Sequence, residues 1–152
     1  MAIIFIISFV ALAIFLATKM TALKGKYSEK LVYKKILELT DEYTIFNDVL
    51  FGGNGRSTQI DHIVVSPYGV FVIETKGYKG WIYGGEHSEY WTQTTYSGKY
   101  QLYNPIKQNE SHVRYLRHLL KCSVDIPFIP IVVFNNSADL KVHPGNHIVV
   151  NK

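Results

Sequence analysis

The stretch Ile60-Asp61-His62-Ile63-Val64-Val65-Ser66-Pro67-Tyr68-Gly69-Val70-Phe71-Val72-Ile73-Glu74-Thr75-Lys76 reads as two short strands around one turn. Ser first, Pro second and Gly fourth are the preferences of a type I turn. If Ser66 to Gly69 form the loop, Val65 pairs with Val70, and counting back sets Asp61 directly opposite Glu74. Side chains alternate along a strand, so Lys76 shares the face of Glu74 and Thr75 points away. Directly opposed residues have Cβ atoms about 4.5–5.5 Å apart, and like charges there repel. A fold keeps such a pair when a cation sits between the carboxylates or when one is protonated. A hard divalent cation on a few carboxylates, with a lysine beside it, is a site for phosphodiester hydrolysis. An ordinary solvated strand end is the competing reading. Against it, the flanking residues are apolar on both faces of both strands, as in a hairpin covered on both sides.

The chain has 152 residues, room for one domain with a core plus an appendage. Hydrophobic residues make up 47% and charged ones 18%, which excludes a disordered chain. A net charge of +4 suits a nucleic acid or an anionic membrane surface and proves neither. The single cysteine, Cys122, makes no internal disulfide and no zinc cluster, so a reducing compartment is the simpler reading.

Upstream, Ala2 to Ala17 carries no charge, and lysines follow it at 19, 24, 26 and 30. The run is at the short edge of what spans a bilayer. Flanking lysines place the amino terminus outside and the rest in the cytoplasm, as a single-pass protein of the cell membrane. A cleaved signal peptide and a buried core helix are the alternatives. The expected organisation is an anchor at 1–18, a linker at 19–24 and one domain over 25–152, with the natural chain continuing past Lys152 as an open possibility. Ser28 is expected to cap a helix running to about Leu39, with Leu31, Val32, Ile36, Leu37 and Leu39 as its apolar face. Glu29 in its first turn is either a helix-start acid or a third carboxylate for the site.

Tyr43 to Leu50 reads as a first strand and Phe51 to Thr58 as a glycine-rich loop. That loop lacks the Lys-Ser/Thr ending of a phosphate-binding loop, which argues against a nucleotide site there. After Lys76, Trp81-Ile82-Tyr83, a Gly84-Gly85 turn and Tyr90 to Thr94 read as edge strands of a meander. Their aromatic residues either stack on bases or pack against the core. Asn104-Pro105 starts a second helix that continues to about Lys121, with Val113, Leu116 and Leu120 as its buried stripe. Gln108 and His112 lie four apart on one face next to that stripe. Phe128 to Phe134 and His147 to Val150 read as further strands.

Asp61, Glu74-Thr75-Lys76, the helix Asn104-Pro105-Ile106-Lys107-Gln108 with His112, and the opening Gly25 to Glu29 together resemble the nuclease-related domain, NERD, of the PD-(D/E)XK nuclease superfamily. The resemblance covers about residues 25 to 150. It implies an α/β fold with a restriction-endonuclease-like core, a mixed central sheet flanked by helices, preceded here by one N-terminal transmembrane helix. It implies Asp61 and Glu74 as ligands of Mg²⁺ or Mn²⁺, with Glu29 and Gln108 as auxiliary site residues. Lys76 would orient or help deprotonate the attacking water. Ile60 stands where the superfamily name has Pro, and that departure disturbs no chemistry.

The functional expectation is a membrane-anchored, metal-dependent nuclease acting on DNA before RNA. A non-catalytic nucleic-acid or protein binding module on the same tether is the alternative. Retention of two repelling carboxylates favours the first.

Overall fold

The computed structural model describes residues 19, 23, 25–53, 56–121 and 126–151. The segment expected to anchor the chain, 1–18, lies outside them, as does Cys122. Among the described residues no helix is long and apolar enough to cross a membrane. A first helix, α1, covers 25–36. It is followed by β1 (Thr44–Gly53), β2 (Arg56–Ser66), β3 (Gly69–Lys76), β4 (Gly80–Gly85), β5 (Tyr90–Thr95), β6 (Gly98–Tyr103), α2 (Pro105–Leu120), β7 (Phe128–Phe134), β8 (Ala138–His143) and β9 (Ile148–Asn151).

The central hairpin has the expected register. Val65 faces Val70 and His62 faces Ile73, and there the ladder stops, with Asp61 and Glu74 as the next opposed positions. The turn is held by Ser66, whose hydroxyl accepts from Tyr68 N at 3.1 Å and donates to Gly69 O at 3.2 Å. β1 adds antiparallel on one side, and β7 then β9 add parallel on the other, giving a mixed sheet β1-β2-β3-β7-β9. Helices cover both faces. Val32 and Ile36 of α1 pack on Val64 and Ile73. Leu116 of α2, with Val113, packs on Ile60, Ile63, Val70 and Val72.

A second sheet, β6-β5-β4-β8, replaces the expected edge of the first. Two parallel strand pairs join the sheets. Val70 faces Phe128, Lys76 faces Phe134, Gly80 faces Ala138 and Gly85 faces His143, so the offset is the same throughout. β3–β4 and β7–β8 are therefore one two-stranded ribbon, bent at the equal connectors 77–79 and 135–137. Asn135 N donates to Lys76 O at 3.2 Å and Gly80 N to Ser137 O at 2.8 Å across the bend. Beyond it, Ile82, Trp91 and Leu102 of the small sheet form a core with Ile106, Val132 and Phe134.

Several local expectations are corrected. Residues 25–27 are already helical, so Ser28 lies inside α1, buried, and accepts from Asn135 Nδ2 at 3.3 Å rather than capping. The regular helix stops at 36, and Leu37 and Leu39 are exposed, as is Leu120 of α2. Of the glycine-rich segment expected as a loop, 51–53 and 56–58 are strand, with Gly53 facing Arg56. Gly84 and Gly85 are strand, and a Cβ on Gly84 would meet the Trp91 ring at 2.2 Å, so glycine there makes room for the indole. Strand β8 was not anticipated, although Leu140 and Val142 alternate with Asp139, Lys141 and His143 as a half-buried strand should.

Candidate active site

The site forms where β2 parts from β3. Glu74 is buried at 3% exposure on the α2 side of the sheet, and three side chains close around its carboxylate. Lys76 Nζ donates to Oε1 at 2.7 Å, and Gln108 Nε2 donates to the same oxygen at 2.7 Å. Gln108 Oε1 in turn accepts from Lys76 Nζ at 2.9 Å, closing a three-membered ring of contacts. On the other side His112 Nε2 lies 3.2 Å from Oε2. An ionised carboxylate only accepts, so that nitrogen carries the proton, and Nδ1 faces the Thr58 hydroxyl at 3.1 Å.

The local sequence explains why α2 reaches the site so exactly placed. Asn104 Oδ1 caps the helix by accepting from Ile106 N at 3.0 Å, and Pro105 occupies the first turn. The Asn104 amide also donates to Glu86 O at 2.9 Å and Ser88 O at 2.7 Å, fixing the helix start to the β4–β5 turn. One turn on, the buried Asn109 donates to Val72 O at 2.9 Å and Ile131 O at 3.0 Å, tying α2 to the two central strands. Gln108 and His112, four apart, then face Glu74 together.

Asp61 lies across from Glu74 and its Oδ2 accepts from Thr75 N at 2.7 Å. Burial, and then the Glu74 charge, push its carboxyl up from 3.8 to about 7, although the Thr75 N–H pulls the other way. For Glu74, burial also acts upward, but the His112 hydrogen bond and the Lys76 ammonium overcome it and leave the carboxyl below its ordinary value. The two acids are thus set apart by their partners, the pattern found where carboxylates take different roles. Glu29 of α1 is only part-buried. Its carboxyl is raised by burial first and by Asp48 next, and it also feels Glu74 and Lys76.

Of the anticipated set, Asp61, Glu74, Lys76 and Gln108 come together. Glu29 stands at electrostatic range and shares a small cleft with Lys26, Asn47 and Asp48. Among the described residues no three His, Cys, Asp or Glu side chains are gathered closely enough to hold a metal ion by themselves.

Two contributors had gone unnoticed. Thr58 supports His112. Asp48 of β1 is the position that continues the row from Glu74 through Asp61: Asn47 faces His62 and Val49 faces Ile60, leaving Asp48 and Asp61 unpaired between them. Asp48 has φ 54, a left-handed conformation uncommon for any residue but glycine and best tolerated by Asp and Asn. Its carboxylate accepts from Gln59 Nε2. The conformation also swaps faces along β1: Ile45 packs with the α1 cluster, Val49 and Phe51 with the α2 cluster. The outer half of the β1–β2 hairpin thereby folds over α2 and delivers Thr58 to His112. His62, on the α1 side, is a structural residue. It is fully buried, stacked on Tyr33 with ring centroids 6.2 Å apart, and held at 2.7 Å to Asn47 Oδ1.

The nuclease-related domain family profile matches residues 24–135. An uncharacterized protein of Bacillus anthracis is 39% identical over 120 residues, which cover 78% of this chain and 56% of that protein. The chain therefore spans little more than half the length of the curated relative it matches. No solved structure matches it significantly. The matched span carries Asp61, Glu74, Lys76 and Gln108 together with β2, β3 and α2, which hold them, and the chain belongs to the nuclease-related domain family, NERD, within the PD-(D/E)XK superfamily.

Proposed function

We propose that the chain is a divalent-metal-dependent nuclease that hydrolyses phosphodiester bonds, with DNA as the first substrate and RNA as the second. The observation that carries this is the opposed pair Asp61 and Glu74 at the end of a ladder, with Lys76 hydrogen-bonded beside them, in a domain of a nuclease-related family. The mixed sheet with a helix on each face fits a restriction-endonuclease-like core.

Mg²⁺ or Mn²⁺ suits this donor set. The oxygens are hard carboxylates, acidic groups cluster around Lys76, and Asp61 is held toward its protonated form by burial first and then by the Glu74 charge, which a cation would offset. Asp61 and Glu74 would be the protein ligands, Glu29 an outer carboxylate, and water the rest of the shell, as Mg²⁺ usually retains. Such an ion supplies polarisation of a phosphoryl oxygen and an acidified water. The chain's own residues do the remainder. Gln108 accepts from the Lys76 ammonium and donates to Glu74, so both are fixed in direction. Lys76 is placed to orient the attacking water and to meet charge that develops in the transition state. His112, braced by Thr58, keeps Glu74 ionised.

The full chain should cleave plasmid and oligonucleotide substrates only with Mg²⁺ or Mn²⁺, and Asp61→Ala should not. Thermal stabilisation by either ion should vanish in Glu74→Gln. Cleavage that survives chelation or Asp61→Ala would overturn the assignment. A non-catalytic binding module is the second reading, favoured by one fact: both Glu74 oxygens already have protein partners. It predicts nucleic-acid binding without cleavage at any metal concentration. We also place the protein in the cell membrane as a single-pass chain through residues 1–18, with the domain in the cytoplasm. Recovery of the full chain from the soluble fraction without detergent would refute that.

A further inference from the structure

The bend in the β3–β4 and β7–β8 ribbon opens two cavities that meet. One, of about 780 Å³, is lined by Lys76, Gly77, Tyr78, Lys79 and Gln93 and, on its other wall, by Tyr27 and Ser28 of α1. The other, of about 430 Å³, begins at Lys79 and ends between Trp81 and Tyr96. Lys79 and Ser137 line both, so the two adjoin and together reach from Lys76 and the start of α1 to Trp81 and Tyr96 on the small sheet. Both volumes fall in the range of ligand sites.

The aromatic end is built and not incidental. Trp91, the other tryptophan, is wholly buried and packs on Phe134, whereas Trp81 is 43% exposed and Tyr96 fully so. Tyr96 stands on the β5–β6 turn, which Thr95 stiffens: its hydroxyl accepts from Ser97 N at 3.2 Å and donates to Gly98 O at 3.3 Å. The floor between the two rings is Gly80 against Thr94. A Cβ on Gly80, at φ +78, would lie 2.4 Å from Thr94 O, so only glycine lets the strands approach and leaves the cavity open. One acid lines the cavity, Asp139, and Lys141 Nζ neutralises it at 3.1 Å. Lys79 is thus left as the cation between the two ends, and Lys99 faces Thr94 from the next strand.

A lysine spaced between a phosphodiester-cutting site and exposed aromatic faces is what a single nucleic-acid strand requires. Its phosphates take the cations and its unpaired bases stack on rings. Bases inside a duplex offer no free faces. Resting on the proposed nuclease for where the chemistry occurs, the geometry points to the Lys79–Trp81–Tyr96 cleft as a single-strand binding track that carries the unpaired part of the substrate away from Lys76.

The test is binding of fluorescein-labelled oligothymidylate, and of the same strand in duplex form, by the full chain in EDTA, where no cleavage intervenes. Wild type should prefer the single strand, and binding should quench the exposed tryptophan, a signal absent in Trp81→Phe. Trp81→Ala and Tyr96→Ala should each weaken single-strand binding roughly tenfold with little effect on duplex. Tyr96 is on a surface turn, so its variant should melt as wild type does. Lys79→Ala should lower the salt dependence by about 0.7 in the log–log slope. Equal affinity for strand and duplex, or wild-type strand affinity in both aromatic variants, would overturn the track even if the protein cuts DNA. Strand binding that follows these rules in a protein that never cuts would support the track and remove only the nuclease reading.

Discussion

Asp61 carries the clearest signature that a single residue can give of an uncompensated site. Its folded-state carboxyl is raised from 3.8 to about 7, so between those values the folded chain holds a proton that the unfolded chain has released. Without metal, this residue's contribution to stability therefore falls as pH rises through that window and is flat above it. His62 acts oppositely, since burial lowers it from 6.5 to about 4 and stability is lost as pH falls between those values. The wild-type curve mixes the two, so the difference from Asp61→Asn is the informative quantity. In EDTA, Asp61→Asn should gain melting temperature over wild type at pH 8 and show a much smaller gain at pH 4.5. A gain independent of pH would mean the carboxyl is not raised. Lys76→Ala should abolish cleavage and leave metal binding by titration calorimetry at least as tight, because the ammonium is a neighbour of the carboxylates and not a ligand. Lys76→Arg should fail too, because a planar guanidinium cannot take the place of the compact ammonium between Glu74 Oε1 and Gln108 Oε1. Asp61, Glu74 and Lys76 were legible because one turn set their register by counting. Asp48 was not, because its place depends on a second register and on a left-handed conformation that an aspartate in a strand does not announce.

At the level of elements, α2 was read almost to the residue because its signals are local. Asn-Pro marks its start, and the left-handed Lys121 ends it, with Lys121 N bonded to His118 O at 3.4 Å. Asn104→Ala should cost about 3 kcal/mol, from a lost cap and buried carbonyls left without a donor. Because that contact aims α2, the variant should also lose cleavage beyond what its stability predicts, read as activity at a temperature where it remains folded. Asn104→Asp keeps the cap oxygen but not the amide, and should recover only part of the stability. Elements whose limits depend on distant partners were read less well. Ser28 has the chemistry of a cap, yet burial against Asn135 keeps it inside a helix that had already begun. Leu39 and Leu120 have core-like side chains but are exposed among the described residues.

For the whole molecule, both helices and most strands followed from hydrophobic pattern and their layering on a mixed sheet from the family resemblance, whereas the division into two sheets followed from neither. Nothing in residues 77–79 or 135–137 taken singly says that two distant segments bend together; that is visible only once the strands are paired. Their common bend imposes a rule on chain length. The two connectors run side by side between strands already locked at both ends, so neither can shorten by itself. Removing one residue from 77–79 alone would turn Trp81 inward and Ile82 outward, or else tear β4 from β8. Removing one residue from each connector would leave every cross-strand partnership intact beyond the bend. The single deletion should therefore melt well below the matched double deletion, despite the double having lost more of the chain. Equal melting of the two would show that the connectors act as independent loops. By the same rule, a change in the span between the proposed active site and the aromatic pair requires two simultaneous edits more than fifty residues apart in the chain.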